Sequence, residues 1–158
     1  MPPAPRILVV EDDRIYAELL AGLLRVGGYE VDMVGTLWDA EKRAMTDYVA
    51  ITLDLNLPDS VGQVAILQLR PLYPNAAIVV VSSYVTDQDV MRMIRAGADD
   101  CICKPVRNGS LVAVVKRAIE LRDQRKANSL LQAAYDKLAA YLPPIFTDTQ
   151  KKSPSTHH

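Results

Sequence analysis

Five times between Arg6 and about residue 122, an apolar run of strand length is followed by a segment whose apolar residues recur at helical spacing. A chain that alternates in this way must build a parallel sheet, because each helix carries the chain back before the next strand begins. Right-handed crossovers then make the fold α/β, a doubly wound five-stranded parallel sheet with helices on both faces. Arg6 to Val10 (RILVV) is a strand whose apolar run is continuous rather than alternating, as burial on both faces requires. Ile15, Leu19, Leu20, Leu23 and Leu24 give the first helix its period, and Gly27 with Gly28 supplies a left-handed stop. Tyr29 to Val34 forms the second strand, and Thr36 with Asp39 caps a helix to about Met45. Tyr48 to Leu53 is the third strand, and Pro58 forces a loop after it. The next helix, from about Val61 to Arg70, stops before Pro71, and Ala77 to Val81 is the fourth strand. Thr86 and Asp89 open a helix that Gly97 ends, and the short strand Asp100 to Cys103 follows. Asn108 or Ser110 caps the last helix, which no Gly or Pro interrupts before Pro143.

These boundaries define a domain over 5–122, a helical extension or linker over 123–142, and a polar tail over 143–158 that reads as disordered. On the extension, Leu131, Tyr135, Leu138 and Leu142 are spaced by four, three and four residues and make one apolar seam. A second copy of the chain or the domain's own surface would satisfy that seam equally well. Lys and Arg number 18 against 19 Asp and Glu, so no net field holds a polyanion and nucleic-acid binding is not expected. No apolar run approaches the roughly 18 residues that cross a bilayer, and the N-terminus lacks the apolar core of a secretory signal. The expected location is cytoplasmic, without membrane contact. Cys101 and Cys103, two apart on one strand, read as small apolar filling and exclude a disulfide scaffold.

In an open α/β sheet, ligands bind beyond the carboxyl ends of the strands. Those ends carry Glu11, Asp12 and Asp13 on the first strand, Asp54 on the third, Ser82 on the fourth and Lys104 after the fifth. Carboxylates packed within about 5 Å of one another repel by roughly 3 kcal/mol per pair at an effective dielectric near 20, so such a cluster calls for a cation. A small set of hard oxygen donors suits Mg²⁺, and Lys104 adds a point charge suited to a phosphoryl oxygen.

The strings VVEDD (Val9 to Asp13), LDLNLPD (Leu53 to Asp59), VVVSS (Val79 to Ser83) and AGADDCICKP (Ala96 to Pro105) resemble, in this order, the receiver domains of two-component response regulators. The resemblance implies a flavodoxin-like sheet of strand order 2-1-3-4-5. It makes Asp54 the phosphoacceptor, Asp12 a direct Mg²⁺ ligand, Glu11 a water-mediated one, and Asn56 a ligand through its backbone carbonyl. Asp13 is then a bystander. Lys104 pairs with the phosphoryl group, the bond to Pro105 is cis, Ser82 hydrogen-bonds the new oxygens, and Ser83 leaves the pocket open. The donor is a phosphohistidine on a sensor histidine kinase or a phosphotransfer protein. The chain departs from the family at Cys101, where a Tyr or Phe usually couples to the strand-four hydroxyl; Tyr84 is the candidate substitute.

The expected function is a phosphorylatable switch that alters partner contacts or a homodimer through the last helices, and not a turnover enzyme. A degenerate receiver acting as a phosphorylation-independent interaction module is the alternative, kept open by Cys101. An aspartyl-phosphate phosphohydrolase needs a second carboxylate where Asn56 stands, and a nucleotide-binding domain needs a Gly-rich turn that is missing after the first strand. Too few residues follow position 122 for a helix-turn-helix or enzyme domain, so either the receiver stands alone or a longer chain continues beyond it.

Overall fold

The computed structural model describes residues 1–83 and 85–142, so the expectations for Tyr84 and the 143–158 tail lie outside the described residues. In chain order the elements are β1 (Arg6–Val10), α1 (Arg14–Val26), β2 (Glu30–Val34), α2 (Leu37–Lys42), β3 (Ala50–Leu53), β4 (Asn56–Leu57), β5 (Ser60–Val61), α3 (Val64–Leu72), β6 (Ala77–Ser82), α4 (Asp87–Ala96), β7 (Asp100–Cys103) and α5 (Ser110–Ala139). Five strands form a parallel sheet of order β2-β1-β3-β6-β7, the expected doubly wound arrangement. Two compact units divide the chain, Met1–Gln124 and Arg125–His158, and the sheet belongs to the first.

The continuous apolar strands fill two cores at once because successive side chains point to opposite faces. Leu8, Val10, Ile51, Leu53, Ile78 and Val80 meet residues of α2, α3 and α4 on one face. Ile7, Val9, Ala50, Ala77, Val79 and Val81 meet α1 and the start of α5 on the other. Each fully buried Ile or Leu contributes about 1.5–3 kcal/mol relative to exposure, and Thr52 of β3 is a buried polar member of these runs. Helix α1 turns Ala17, Leu20, Ala21 and Leu24 inward, whereas Ile15 and Leu19 face solvent.

The structure corrects the sequence reading in three places. The loop after β3 contains a two-stranded antiparallel hairpin, β4 against β5, with Asn56 opposite Val61 and Leu57 opposite Ser60. Pro58 and Asp59 form its turn, a placement that proline's fixed φ favours. The hairpin and Gly62, at φ +64°, delay α3 to Val64. At its other end α3 runs through Pro71 to Leu72 instead of stopping at Arg70. Proline in the last turn forfeits only its own N–H bond, and the Tyr73 N–H still donates to the Leu69 carbonyl at 3.0 Å. Helix α2 stops at Lys42, not Met45, because Arg43, Ala44 and Thr46 donate to carbonyls three residues back and tighten the chain into turns.

At the end of the sheet away from those strand termini, Asp99 is held between α3 and α5. Its side chain is fully buried and accepts from Arg70 at 3.2 Å, Arg122 at 2.7 Å and the Ile78 N–H at 2.9 Å. Arg70 also donates to the carbonyls of Gly97, Tyr73 and Ala76, so one guanidinium closes several loop ends. In the second unit Leu131, Tyr135 and Leu138 are 68%, 65% and 67% exposed among the described residues.

Asp99→Ala removes the fully buried acceptor that two half-buried guanidiniums share, and it is expected to cost about 3 kcal/mol of unfolding free energy in urea titration. Burial, and then Tyr48, push the phenol of Tyr73 up to about 12. Because the folded value lies above the unfolded value of about 10, stability falls as pH rises from about 10 through about 12. Tyr73→Phe loses the bond to the Ala40 carbonyl and costs about 1 kcal/mol at neutral pH. That deficit should narrow across the alkaline window, as denaturant titration at stepped pH will measure.

Candidate functional site

Adjacent strand ends deliver the acids. The Glu11 N–H donates to the Val34 carbonyl and the Asp54 N–H to the Val10 carbonyl, both at 3.0 Å, so the sheet ladder runs directly into both residues. Glu11 is 3% exposed and Asp54 7%, while Asp12 lies open to solvent. Carboxylate oxygens of these three residues all lie within 4.8 Å of one another. Lys104, just beyond β7, is anchored by its N–H to the Ser82 carbonyl at 2.8 Å. Its ammonium reaches Glu11 at 2.7 Å and Asp54 at 3.1 Å. The second oxygen of each acid is also used: Glu11 accepts from the Asp13 N–H at 3.2 Å, and Asp54 from the Asn56 N–H at 3.0 Å.

Burial pushes the Glu11 carboxyl up, and the neighbouring Asp54 adds to this, against the opposing bond from Lys104. Burial pulls Lys104 down, but the bonds to Glu11 and Asp54 outweigh it and hold the ammonium above its usual range. A buried acid that resists ionisation beside an open one, all with hard oxygen donors, fits a small divalent cation that keeps several waters. An open cleft between α1 and β2 is lined by Glu11, Asp12, Arg14 and Met33.

The structure thus brings Glu11, Asp12, Asp54 and Lys104 together. Ser82, half-buried, ends β6 in register with Cys103, and Asn56 is tied to Asp54 through its N–H. The Lys104–Pro105 bond is cis. Cys101 is half-buried against the core shared with α3 and α4, and burial, then Asp100 and Cys103, raise its thiol.

Three residues do work that sequence reasoning missed. Asp13 is the N-cap of α1, accepting from the Ile15 and Tyr16 N–H groups at 3.0 and 3.1 Å. Asp59, at the hairpin turn, accepts from the Leu37 and Trp38 N–H groups, both at 2.9 Å, and so caps α2 from 22 residues away. Those bonds, Trp38's first, hold its carboxyl below the usual range. Tyr16 lies beneath the Lys104 ammonium, 4.5 Å from the ring centroid, and accepts from the Val106 N–H at 3.0 Å. Only the Asp13 cap had a local signal, an acid directly before a helical period.

A family model described as the response regulator receiver domain matches residues 7–116. The transcriptional regulatory protein PrrA of Mycobacterium leprae is 33% identical over 144 residues, covering 89% of this chain and 60% of its own length. A receiver domain protein from Methanospirillum hungatei superposes with a TM-score of 0.71 at 25% identity, over 78% of this chain and 99% of that one. A response regulator from Burkholderia pseudomallei, solved with a phosphorylated aspartic acid, calcium and citrate, gives 0.66 at 26% identity, over 87% of this chain and 85% of that one. The chain spans less than two thirds of the curated relatives' length, 7% for a Dictyostelium discoideum hybrid histidine kinase and 54% for a CpxR homologue of Haemophilus influenzae.

Mg²⁺ at ten times its dissociation constant should stabilise the fold by about 1.4 kcal/mol, read as a rise in melting temperature that a chelator reverses. Asp12→Asn, which alters the exposed donor and leaves the buried pair intact, is expected to remove most of that rise.

Proposed function

Since the chain belongs to the response regulator receiver domain family of two-component signalling, we propose that it is a phosphorylatable switch whose acceptor is Asp54. The observation that carries this reading is the Asp54 carboxylate itself, buried, 3.1 Å from the Lys104 ammonium and within one donor cluster with Glu11 and Asp12. A carboxylate is ionised at neutral pH, so attack on phosphorus needs no general base. An Asp54 oxygen forms the new P–O bond as the P–N bond of a phosphohistidine breaks, and the departing imidazole takes up a proton. The donor is a sensor histidine kinase or a phosphotransfer protein. Phosphoryl transfer depends on positioning and on neutralised oxygen charge more than on covalent help.

Glu11, Asp12, Asp54 and the Asn56 backbone carbonyl would hold Mg²⁺, which when bound neutralises negative charge between acceptor and donor. Lys104 exchanges its contact with Asp54 for a phosphoryl oxygen, and the Ser82 hydroxyl donates to another. The added charge of about -1.5 to -2 biases the surroundings of β6 and β7. With Cys101 in place of an aromatic side chain, the readout runs through Ser82 and the segment that includes Tyr84. Residues 5–122 form the receiver and 123–142 an extension, whose exposed seam of Leu131, Tyr135, Leu138 and Leu142 supports a homodimer. No turnover substrate is assigned, and the protein acts in the cytoplasm; no helix among the described residues is long and apolar enough to cross a membrane.

Incubation with acetyl phosphate and Mg²⁺ is expected to add one phosphoryl group by intact mass. Asp54→Asn and excess chelator should each abolish the adduct. A folded wild type that binds Mg²⁺ but gains no mass would instead establish a phosphorylation-independent interaction module.

A further inference from the structure

The ammonium of Lys104 sits at the end of a flexible four-carbon stem, and holding it in one place costs rotamer entropy. Two carboxylates attract it, but Glu11 at 2.7 Å is nearer than Asp54 at 3.1 Å. On its own that imbalance favours a Lys104 drawn toward Glu11 and away from the reacting oxygen. A third partner lies under the ammonium: the ring of Tyr16, 4.5 Å from centroid to nitrogen. An aromatic face attracts a cation without offering an oxygen that competes with phosphate, and it does so most strongly where water is excluded. Lys104 is half-buried.

Tyr16 also holds the backbone from which Lys104 projects. Its hydroxyl accepts from the Val106 N–H at 3.0 Å, two residues past Lys104 and 90 residues away in sequence. Tyr16 is itself fixed by the Asp13 cap, whose carboxylate accepts from the Tyr16 N–H at 3.1 Å. A chain of contacts therefore runs from the residue after the metal-binding acids, through the first turn of α1, to both the stem and the tip of the lysine.

We propose that Tyr16 is a positioning residue for phosphoryl transfer, its ring holding the Lys104 ammonium at Asp54 and its hydroxyl holding the β7–α5 loop. The inference rests on the reading of Asp54 as phosphoacceptor. The ring is expected to act on the step in which Lys104 meets the transferring oxygens, and not on the carboxylates that bind the cation. Its loss should therefore lower the maximal phosphorylation rate and leave the half-saturating Mg²⁺ concentration unchanged.

The test compares the full chain with Tyr16→Met, which keeps volume and removes the ring, and Tyr16→Phe, which keeps the ring and removes the hydroxyl. At saturating acetyl phosphate and Mg²⁺, Tyr16→Met should phosphorylate roughly three- to tenfold more slowly, the range of one cation–π contact. Tyr16→Phe should recover most of the rate. In NMR spectra the Lys104 side-chain methylene protons next to the ammonium should be shifted upfield by the ring in wild type and Tyr16→Phe, and should return to ordinary positions in Tyr16→Met. A wild-type rate in Tyr16→Met, or unshifted Lys104 protons in the wild type, overturns the proposal. A wild type that gains no phosphoryl group overturns the Asp54 reading instead, and the ring-current shift still decides whether Tyr16 holds Lys104.

Discussion

One ammonium between two buried carboxylates is the constraint on which the rest of this structure depends. Glu11 and Asp54 end neighbouring strands and are nearly closed to solvent. At that spacing their repulsion is of order 3 kcal/mol, and burial raises the cost of keeping Glu11 ionised. Lys104 bridges them at 2.7 and 3.1 Å. The ammonium comes from the opposite edge of the sheet, so β7 must end level with β1 and β3. The bond from the Lys104 N–H to the Ser82 carbonyl fixes that level. Seen this way, the order β2-β1-β3-β6-β7 is the arrangement that brings one cation to two anions from distant parts of the chain.

The acids near the site look alike in sequence, yet the fold gives them different work. Glu11 and Asp54 are buried and share Lys104, and Asp12 is the open donor beside them. Asp13 and Asp59 never join the cluster; each closes the start of a helix, α1 in one case and α2 in the other. Because Asp59 sits on the hairpin that follows Asp54, the cap ties the site's floor to the helix next door. Charge alone does not separate these roles. What separates them is which backbone N–H groups are left without partners nearby.

Much of this was legible in the sequence, and what was not shares a physical cause. The strands followed from apolar runs too continuous for a one-faced sheet, their order from the resemblance to receiver domains, and the site from reading the strand ends together. The hairpin escaped because two paired residues carry no periodicity. Pro71 misled because its penalty depends on how many helical bonds follow it, and here the helix was about to end. Nothing local marks Tyr16, since its partners at Lys104 and Val106 lie about 90 positions downstream. Asp99, between Arg70 and Arg122, was hidden in the same way. Local pattern reports period; it does not report which distant charge arrives to meet a side chain.

The two cysteines of β7 gain a practical meaning from their different surroundings. Cys103 is exposed and lies in register with Ser82, whereas Cys101 is partly buried and its thiol is pushed up by burial and by nearby negative charge. Thiolate is the reactive species, so an electrophilic label should discriminate between them without mutagenesis. The protein thus carries a native attachment point, one residue before Lys104, for a fluorophore or spin label that reports on the end of β7.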